Sequence, residues 1–168
     1  MTTSISAIYK TDIVSDSHKW TNWEGYKLIH DNQMLQHPFV REDLLFWEEI
    51  AEEEASPDAP PHEIMLSGDI ICEQGVIVHV KKVLETQLGR RGEVQVRGRH
   101  YAYNAYRPES GAILRYDNSH WREDDQFDRH EYDADGNVTD FRIIPREELP
   151  TLAEFLTEVA AMVGEKPD

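Results

Sequence analysis

The amino-acid sequence predicts an α+β fold, an antiparallel β-sheet of about five to six strands with a C-terminal helix packed on one face. Three observations predict it. Short apolar runs between Ile64 and Ile144 are separated by turn sequences that contain glycine. Within them, Glu93–Arg107 alternates between two kinds of side chain, as a strand does. Pro150–Gly164 instead repeats its apolar residues at helical spacing. An acidic helix is also expected near the N-terminus.

Length and composition are those of an ordered protein. The chain has 168 residues, 39% hydrophobic and 30% charged, which is enough for one domain with a substantial core. No apolar run approaches the roughly 20 residues that span a bilayer, and the N-terminus lacks the plan of a signal peptide. Because Cys72 is the only cysteine, an internal disulfide is impossible and a thiolate zinc site is disfavoured. We expect a cytoplasmic protein with no membrane partner.

The first third of the chain is predicted to be an extension, residues 1–63, that precedes a core domain, residues 64–168. Within it, Arg41–Ala55 is predicted to be a helix, because apolar residues crowd its start and glutamates dominate its second half. The three prolines of Ser56–Pro61 predict a stiff linker. The acidic helix is either a solvated surface or a docking site for a basic partner.

The core is predicted to be a succession of antiparallel strands. The predicted strands are Ile64–Cys72, Val76–Leu84, Glu93–Arg107, Ala112–Asp117, Phe127–Tyr132 and Val138–Ile144. The Asp-Gly pair within Asp133–Asn137 is a hairpin turn signal. In the final helix, Thr151 is a natural N-cap and Glu154 stands three residues later, which is the spacing of a capping box. Its apolar stripe should lie across one face of the sheet.

Alternation within Glu93–Arg107 predicts which side chains are available for binding, because every second side chain of a strand shares a face. One face would be basic and aromatic, and the other small and mostly apolar, with His100 on it. The apolar face is expected to pack on the core, and the basic and aromatic face is expected to be the exposed one. Its members are Arg97, Arg99, Tyr101, Tyr103 and Arg107.

Charge is unevenly distributed along the chain. The net charge is −16, from 33 acidic and 17 basic residues, and this argues against non-specific nucleic-acid binding. Residues 81–122, however, hold nine Lys or Arg and four acids, which is +5, so the remainder carries −21. A basic centre in an acidic chain could attract a phosphate chain to one face. Solvated strand edges carry Lys and Arg for other reasons, and this alternative stays open.

Residues near the end of the basic segment have the types that cleave RNA through its own 2′-hydroxyl. That reaction needs a base, an acid and a cation that holds the phosphate. Histidines titrate near neutral pH, and an arginine can hold a phosphate with two parallel hydrogen bonds. We predict His120 and His130 as the acid and base and Arg115 as the phosphate clamp, with no metal and no other cofactor. The basic and aromatic face would bind the RNA.

Two alternatives to this chemistry remain. His120 and His130 could hold a divalent metal together with a carboxylate, for which the candidates are Asp117, Asp124 and Asp125. Alternatively, the two histidines only form hydrogen bonds with the acidic loop between them.

The order of these motifs resembles the TumE-type toxin family. The resemblance covers about Ile64–Val163 and rests on His100-Tyr101-Ala102-Tyr103 and on Arg115-Tyr116-Asp117-Asn118 followed by a histidine. It implies a toxin that is encoded beside a helix-turn-helix antitoxin and acts on RNA. The family pattern is matched at Arg115, Tyr116, Asp117, Asn118, His120 and His130. Tyr132 stands where the family often has a further histidine, which weakens a metal site.

The hypothesis from the sequence is therefore a toxin of a toxin–antitoxin system that acts as a metal-independent endoribonuclease. His100, Tyr116, Asp117 and Asn118 would support its catalytic residues. The expected partners are a helix-turn-helix antitoxin and RNA, and homodimer formation is left open. The alternative is a non-enzymatic acidic binding or inhibitor protein, whose working surface would be the acidic helix.

Overall fold

A computed structural model describes residues 20–50, 63–118 and 126–164, and its architecture is α+β, as predicted. These residues form two helices and nine strands, more strands than the five to six expected. The helices are α1 (Trp23–Gln36) and α2 (Leu152–Gly164). The strands are β1 (Thr21–Asn22), β2 (Val40–Asp43), β3 (Phe46–Ile50), β4 (Glu63–Cys72), β5 (Ile77–Leu88), β6 (Val94–Arg107), β7 (Gly111–Asp117), β8 (Gln126–Tyr132) and β9 (Val138–Pro145).

All nine strands belong to one antiparallel sheet. Its order is β2-β4-β5-β6-β7-β8-β9, with β3 also paired to β4 and β1 to β6. Strands that follow one another in the sequence from β4 to β9 are therefore neighbours in the sheet. The strands on both sides of the predicted boundary at residue 63 share this sheet, and the division into an extension and a core stays a prediction. No helix in the described ranges is long and apolar enough to cross a membrane.

Helix α2 packs on the sheet as its sequence predicts. The capping box is confirmed, because the Thr151 amide donates to Glu154 Oε1 at 3.0 Å and the Glu154 amide donates to Thr151 Oγ1 at 3.1 Å. The ring of Phe155 lies 5.4 Å from that of Tyr103 and 5.7 Å from that of Tyr116, measured between centroids. Helix α2 therefore covers the centre of the sheet around β6 and β7.

The predicted acidic helix Arg41–Ala55 is wrong in its described part. Residues 41–43 belong to β2 and residues 46–50 form β3, while residues 51–55 and the linker Ser56–Pro61 lie outside the described residues. Pairing with β4 outweighs the helical preference of the glutamates. It also places the ring of Trp47 at 4.9 Å from that of Trp23. The N-terminal helix is α1, where the Asn22 side chain accepts a hydrogen bond from the Gly25 amide.

A β-bulge in β6 reverses the predicted alternation. Val83 pairs with His100 and Leu84 pairs with Gly98, so Arg99 is an extra residue with no partner position on β5. After the bulge, Tyr101 and Tyr103 face the helices and are 1% and 0% exposed. The expectation that these two tyrosines lie on an exposed face is therefore wrong, because it assumed an unbroken alternation.

Two side chains from distant parts of the chain hold the bulge. Asn118 accepts a hydrogen bond from the Tyr101 amide at 3.1 Å and donates to the Arg99 carbonyl at 3.0 Å. Arg146 donates to the carbonyls of Gly98 and Arg99, both at 3.3 Å. The Tyr101 hydroxyl also lies over Gly98, only 1.1 Å from where a Cβ would stand. Any side chain at position 98 therefore requires the Tyr101 ring to move.

We predict that Gly98→Ala lowers the free energy of unfolding by roughly 1–3 kcal/mol, because the added methyl group must displace the Tyr101 ring. Gly25→Ala is the matched control, since its Cβ would meet only the side-chain oxygen of Asn22, at 3.8 Å.

 The control should change stability by no more than about 1 kcal/mol, because alanine is the better residue within a helix. Urea unfolding of the two variants beside the wild-type protein measures the difference. Equal stability of Gly98→Ala and the wild-type protein would contradict the close packing of Tyr101 over the bulge.

Candidate active site

The two faces of the sheet differ in what covers them. Buried residues of α2 pack against Val78 and Val80, and Trp23 of α1 packs against Leu84. These three β5 residues are separated by even numbers of positions and share a face, so both helices lie on the same side, which we call the helix face. The opposite side carries no helix among the described residues, and we call it the open face.

A line of polar side chains crosses the open face from strand to strand. Residues that pair directly on neighbouring strands lie side by side on one face, with Cβ atoms about 4.5–5.5 Å apart. In five successive strand pairs, from β4–β5 to β8–β9, each residue of this line pairs directly with the next. We call the line the cross-strand row. Its members are Asp69, His79, Asn104, Arg115, His130 and Phe141. The row therefore brings together Arg115 and His130, two of the three predicted catalytic residues.

Arg115 is oriented by an acid on its own strand. Its Nη2 donates to the Asp117 carboxylate, and Asp117 is 2% exposed. The Arg115 side chain is 39% exposed, and a guanidinium has five N–H donors. Asp117 can therefore hold the guanidinium in place while other donors remain for an anion on the open face.

Two buried polar atoms flank Arg115 in the row. His130 Nδ1 and Asn104 Oδ1 are inaccessible to solvent and have no hydrogen-bond partner among the described residues. Such atoms are rare in folded proteins, because burial without a partner costs free energy. Both residues pair directly with Arg115, one from β8 and one from β6. Because both atoms are closed to solvent, the part of the centre of the row that a ligand can reach is the exposed guanidinium of Arg115.

Tyr116 lies on the helix face, away from Arg115. Its hydroxyl donates to Glu158 of α2 at 2.7 Å and accepts from Arg129 Nε at 2.9 Å. Burial and the neighbouring Glu158 carboxylate raise the pKa of Tyr116 to about 12. Burial opposes the charge of Arg129, but the hydrogen bonds that Arg129 donates to Glu131 and Glu158 outweigh this effect and raise the Arg129 pKa. Tyr116 is thus a structural residue that fixes α2 on the sheet.

The four-residue motif Arg115-Tyr116-Asp117-Asn118 therefore has three structural roles. Arg115 and Asp117 belong to the open face, Tyr116 belongs to the helix face, and Asn118 holds the bulge in β6. Asp117 also pairs across the strands with Asp128, which is 6% exposed. The sequence predicts Arg115 as catalytic and the other three residues as its support, and in the structure Tyr116 and Asn118 stabilise the sheet around Arg115.

The predicted RNA-binding arginines have partners within the chain. Arg97 donates to Glu85 at 2.9 Å, and its guanidinium lies 4.6 Å from the Trp20 ring centroid. Arg99 lies 3.9 Å from the same glutamate. Arg107 donates to the carbonyl of Gln74 at 3.0 Å. None of these arginines pairs directly with a member of the cross-strand row.

His100 is half-buried and pairs with Val83. His120, Asp124 and Asp125 lie outside the described residues. Within the described ranges, no group of three His, Cys, Asp or Glu side chains is arranged to hold a metal ion. The part of the metal alternative that involves residues 119–125 stays a prediction.

Sequence reasoning missed several neighbours of the site. The Tyr132 ring stacks on that of His130 at 6.1 Å and 19°, and the Phe141 ring meets it at 4.9 Å. Asn104 and His79 were also missed. Their positions follow from strand register, and the hairpin turn at Asp133–Asn137 was the one available signal, since it brings β9 beside His130.

We predict that Tyr116→Phe lowers the free energy of unfolding by about 1–2 kcal/mol, because Glu158 and Arg129 each lose a hydrogen bond. Tyr132→Phe is the matched control, since its ring lies on the open face; it should change stability by less than about 0.5 kcal/mol. Thermal unfolding followed by circular dichroism measures both. Equal losses in the two variants would contradict the structural role of Tyr116.

Comparison with known proteins gives one match. A family model described as Toxin TumE matches residues 36–163, from the end of α1 to the end of α2. The match begins earlier than residue 64, where the resemblance in the sequence was placed, and so includes β2 and β3. No curated protein and no solved structure matches the chain significantly. The family model covers more than half of the chain, and its toxins act with an antitoxin partner. The chain therefore belongs to the TumE toxin family and is the toxin component of a toxin–antitoxin system.

Proposed function

We propose that this toxin is an endoribonuclease that cleaves RNA without a metal ion. The observation that carries the proposal is the direct pairing of Arg115 with His130 on the open face. A cation that can bind a phosphate with two hydrogen bonds lies beside an imidazole that can transfer a proton. The helices do not cover this pair, so a single RNA strand can reach it.

The proposed reaction is attack by the ribose 2′-hydroxyl on the adjacent phosphorus. A base removes the hydroxyl proton, the new oxygen–phosphorus bond forms, and the bond to the 5′ oxygen breaks. That oxygen leaves with a proton from an acid, and the product ends in a 2′,3′-cyclic phosphate. His130 supplies one of the two proton transfers. His120, which lies outside the described residues, stays our proposal for the other.

Arg115 contributes by stabilising negative charge on the phosphate oxygens, which increases as the new bond forms. Asp117 fixes the guanidinium, so little reorganisation is needed when the phosphate binds.

Base stacking in this proposal uses different rings from those that the sequence suggested. Tyr101 and Tyr103 are in the core. Phe141, which is 50% exposed, and Tyr132 flank His130 and can contact an unstacked base. Arg97, Arg99 and Arg107 stay proposed as phosphate contacts, each exchanging an internal partner for the phosphate.

We predict that His130→Ala and Arg115→Ala each reduce RNA cleavage by at least about 100-fold, because each removes a proton-transfer group or the phosphate clamp. Arg115→Lys should remain strongly impaired, since lysine keeps the charge but loses the two-pronged geometry. His79→Ala is the matched control, an exposed histidine of the same row on β5. Rates are measured on single-stranded RNA, with product ends analysed for the cyclic phosphate.

Cleavage should be unchanged when a chelator is present. Full activity of both His130→Ala and Arg115→Ala would exclude this site, and loss of activity with chelator would favour the metal alternative. Circular dichroism of each variant separates lost chemistry from lost folding.

A second candidate function is a non-enzymatic binding or inhibitor protein, and one observation favours it. The β2–β3 edge exposes two apolar residues, Leu44 at 48% and Phe46 at 56%. Exposed acids surround them, among them Glu42, Glu48 and Glu49. An apolar pair within an acidic surface suits a basic partner that also carries an apolar side chain.

Under this second candidate, we predict that changing Glu42, Glu48 and Glu49 to Gln weakens binding of the neighbouring-gene antitoxin at least tenfold, because the surface loses its attraction for basic side chains. The control changes three exposed acids elsewhere, Glu109 to Gln, Asp135 to Asn and Glu147 to Gln. Titration calorimetry measures both. Equal affinities for the two triple variants would exclude the acidic edge as the binding surface. Under the first candidate, RNA cleavage should be intact in both variants.

A further inference from the structure

Strand β9 is an edge of the sheet. Among the described residues it pairs with β8 only, so the backbone groups on its other side have no strand partner. An unpaired strand edge is a template for pairing with another strand. The charged residues Asp140 and Arg142 restrict which strand can pair there.

The open-face side of β9 is apolar. A register shift after Glu131 makes Thr139 an extra residue and places Val138 on the same face as Phe141 and Ile143. These three side chains are 51%, 50% and 48% exposed. A contiguous exposed apolar strip along a free strand edge is typical of an interaction surface.

We propose that β9 pairs antiparallel with β9 of a second copy of this chain, with Phe141 opposite Phe141. This register joins the two sheets edge to edge and places the Phe141 side chains of the two copies side by side on the open face. It also places Asp140 of each copy opposite Arg142 of the other, which gives two ion pairs across the seam. Within one chain, Arg142 already donates to Asp140 at 2.8 Å, so the same groups can exchange partners between the copies.

Charge selects both the partner and the register. Sliding one strand by two residues along the other would place Asp140 opposite Asp140 in one direction and Arg142 opposite Arg142 in the other. Like charges directly opposite each other are destabilising. At the opposite edge of the sheet, β2 carries Arg41 before Asp43, the reverse of the order Asp140, Arg142 in β9, so antiparallel pairing of β2 with β9 would place like charges opposite each other. A second copy of β9 therefore fits better than the chain's own distant edge.

The decisive test is a disulfide across the seam. In the proposed register, residue 141 lies opposite itself, with Cα atoms about 4.5–5.5 Å apart, within the range that a disulfide bridges. We predict that Phe141→Cys forms a disulfide-linked dimer of twice the 19.5 kDa chain mass under mild oxidation. The native thiol should not compete, because burial raises the pKa of Cys72 to about 12.

Ile143→Cys is the matched control, with similar exposure on the same face. Its two copies would be four residues apart along the strands, roughly 13 Å, which is too far for a disulfide. Cross-linking should therefore be at least tenfold slower than for Phe141→Cys. Equal rates for the two variants would overturn the proposed register.

Light scattering supplies a second measurement that needs no cysteine. The wild-type protein should have twice the chain mass, Phe141→Lys should have the mass of one chain, and Leu88→Lys, a control of 48% exposure on β5, should remain dimeric. A monomeric wild-type protein at high micromolar concentration, or a dimeric Phe141→Lys, would overturn the proposal. Circular dichroism confirms that each variant is folded. These outcomes do not depend on whether the protein cleaves RNA.

Discussion

Asn118 and Arg146 hold one extra residue in β6, and the bulge that results decides which side chains face the helices. Because of it, Tyr101 and Tyr103 turn into the core, where Tyr103 meets Phe155 of α2. Strand β7 then pairs beyond the bulge, with Tyr116 toward the helices and Arg115 toward the open face. The position of the candidate site thus depends on a local irregularity in a neighbouring strand.

The acidic composition of the chain has a partly structural explanation. Arg129 is 6% exposed in its side chain and has three carboxylate neighbours, from Glu131, Asp140 and Glu158. Glu85 similarly engages Arg97, and Asp117 engages Arg115. The basic segment of the sequence therefore does not form a basic surface, because carboxylates of the same chain form ion pairs with several of its arginines. Arg115 differs from Arg129 because it keeps exposed donors beside an unpartnered imidazole nitrogen.

Local patterns were sufficient to predict part of this structure. The capping box at Thr151 and the apolar stripe after it predicted α2, because a helix end and one helix face are determined by neighbours in sequence. The acids of β3 predicted a helix, since single-residue preferences carry no information on the pairing with β4. The bulge at Arg99 interrupts the alternation from which the exposure of Tyr101 was predicted. The prediction for Tyr101 was wrong for that reason. Asn104 and Phe141 depend on register across several strands, which only the folded sheet defines.

The bulge assigns the tyrosines of β6 to the helix face and leaves Arg115 and His130 together on the open face. Nuclear Overhauser effects between side-chain protons test this assignment most directly. We expect cross-peaks between the rings of Tyr103 and Phe155, and between those of Tyr101 and Phe127, whose centroids are 5.4 and 5.8 Å apart. Cross-peaks from His100 to α2, with none from Tyr103, would contradict the reversed alternation and the site built on it.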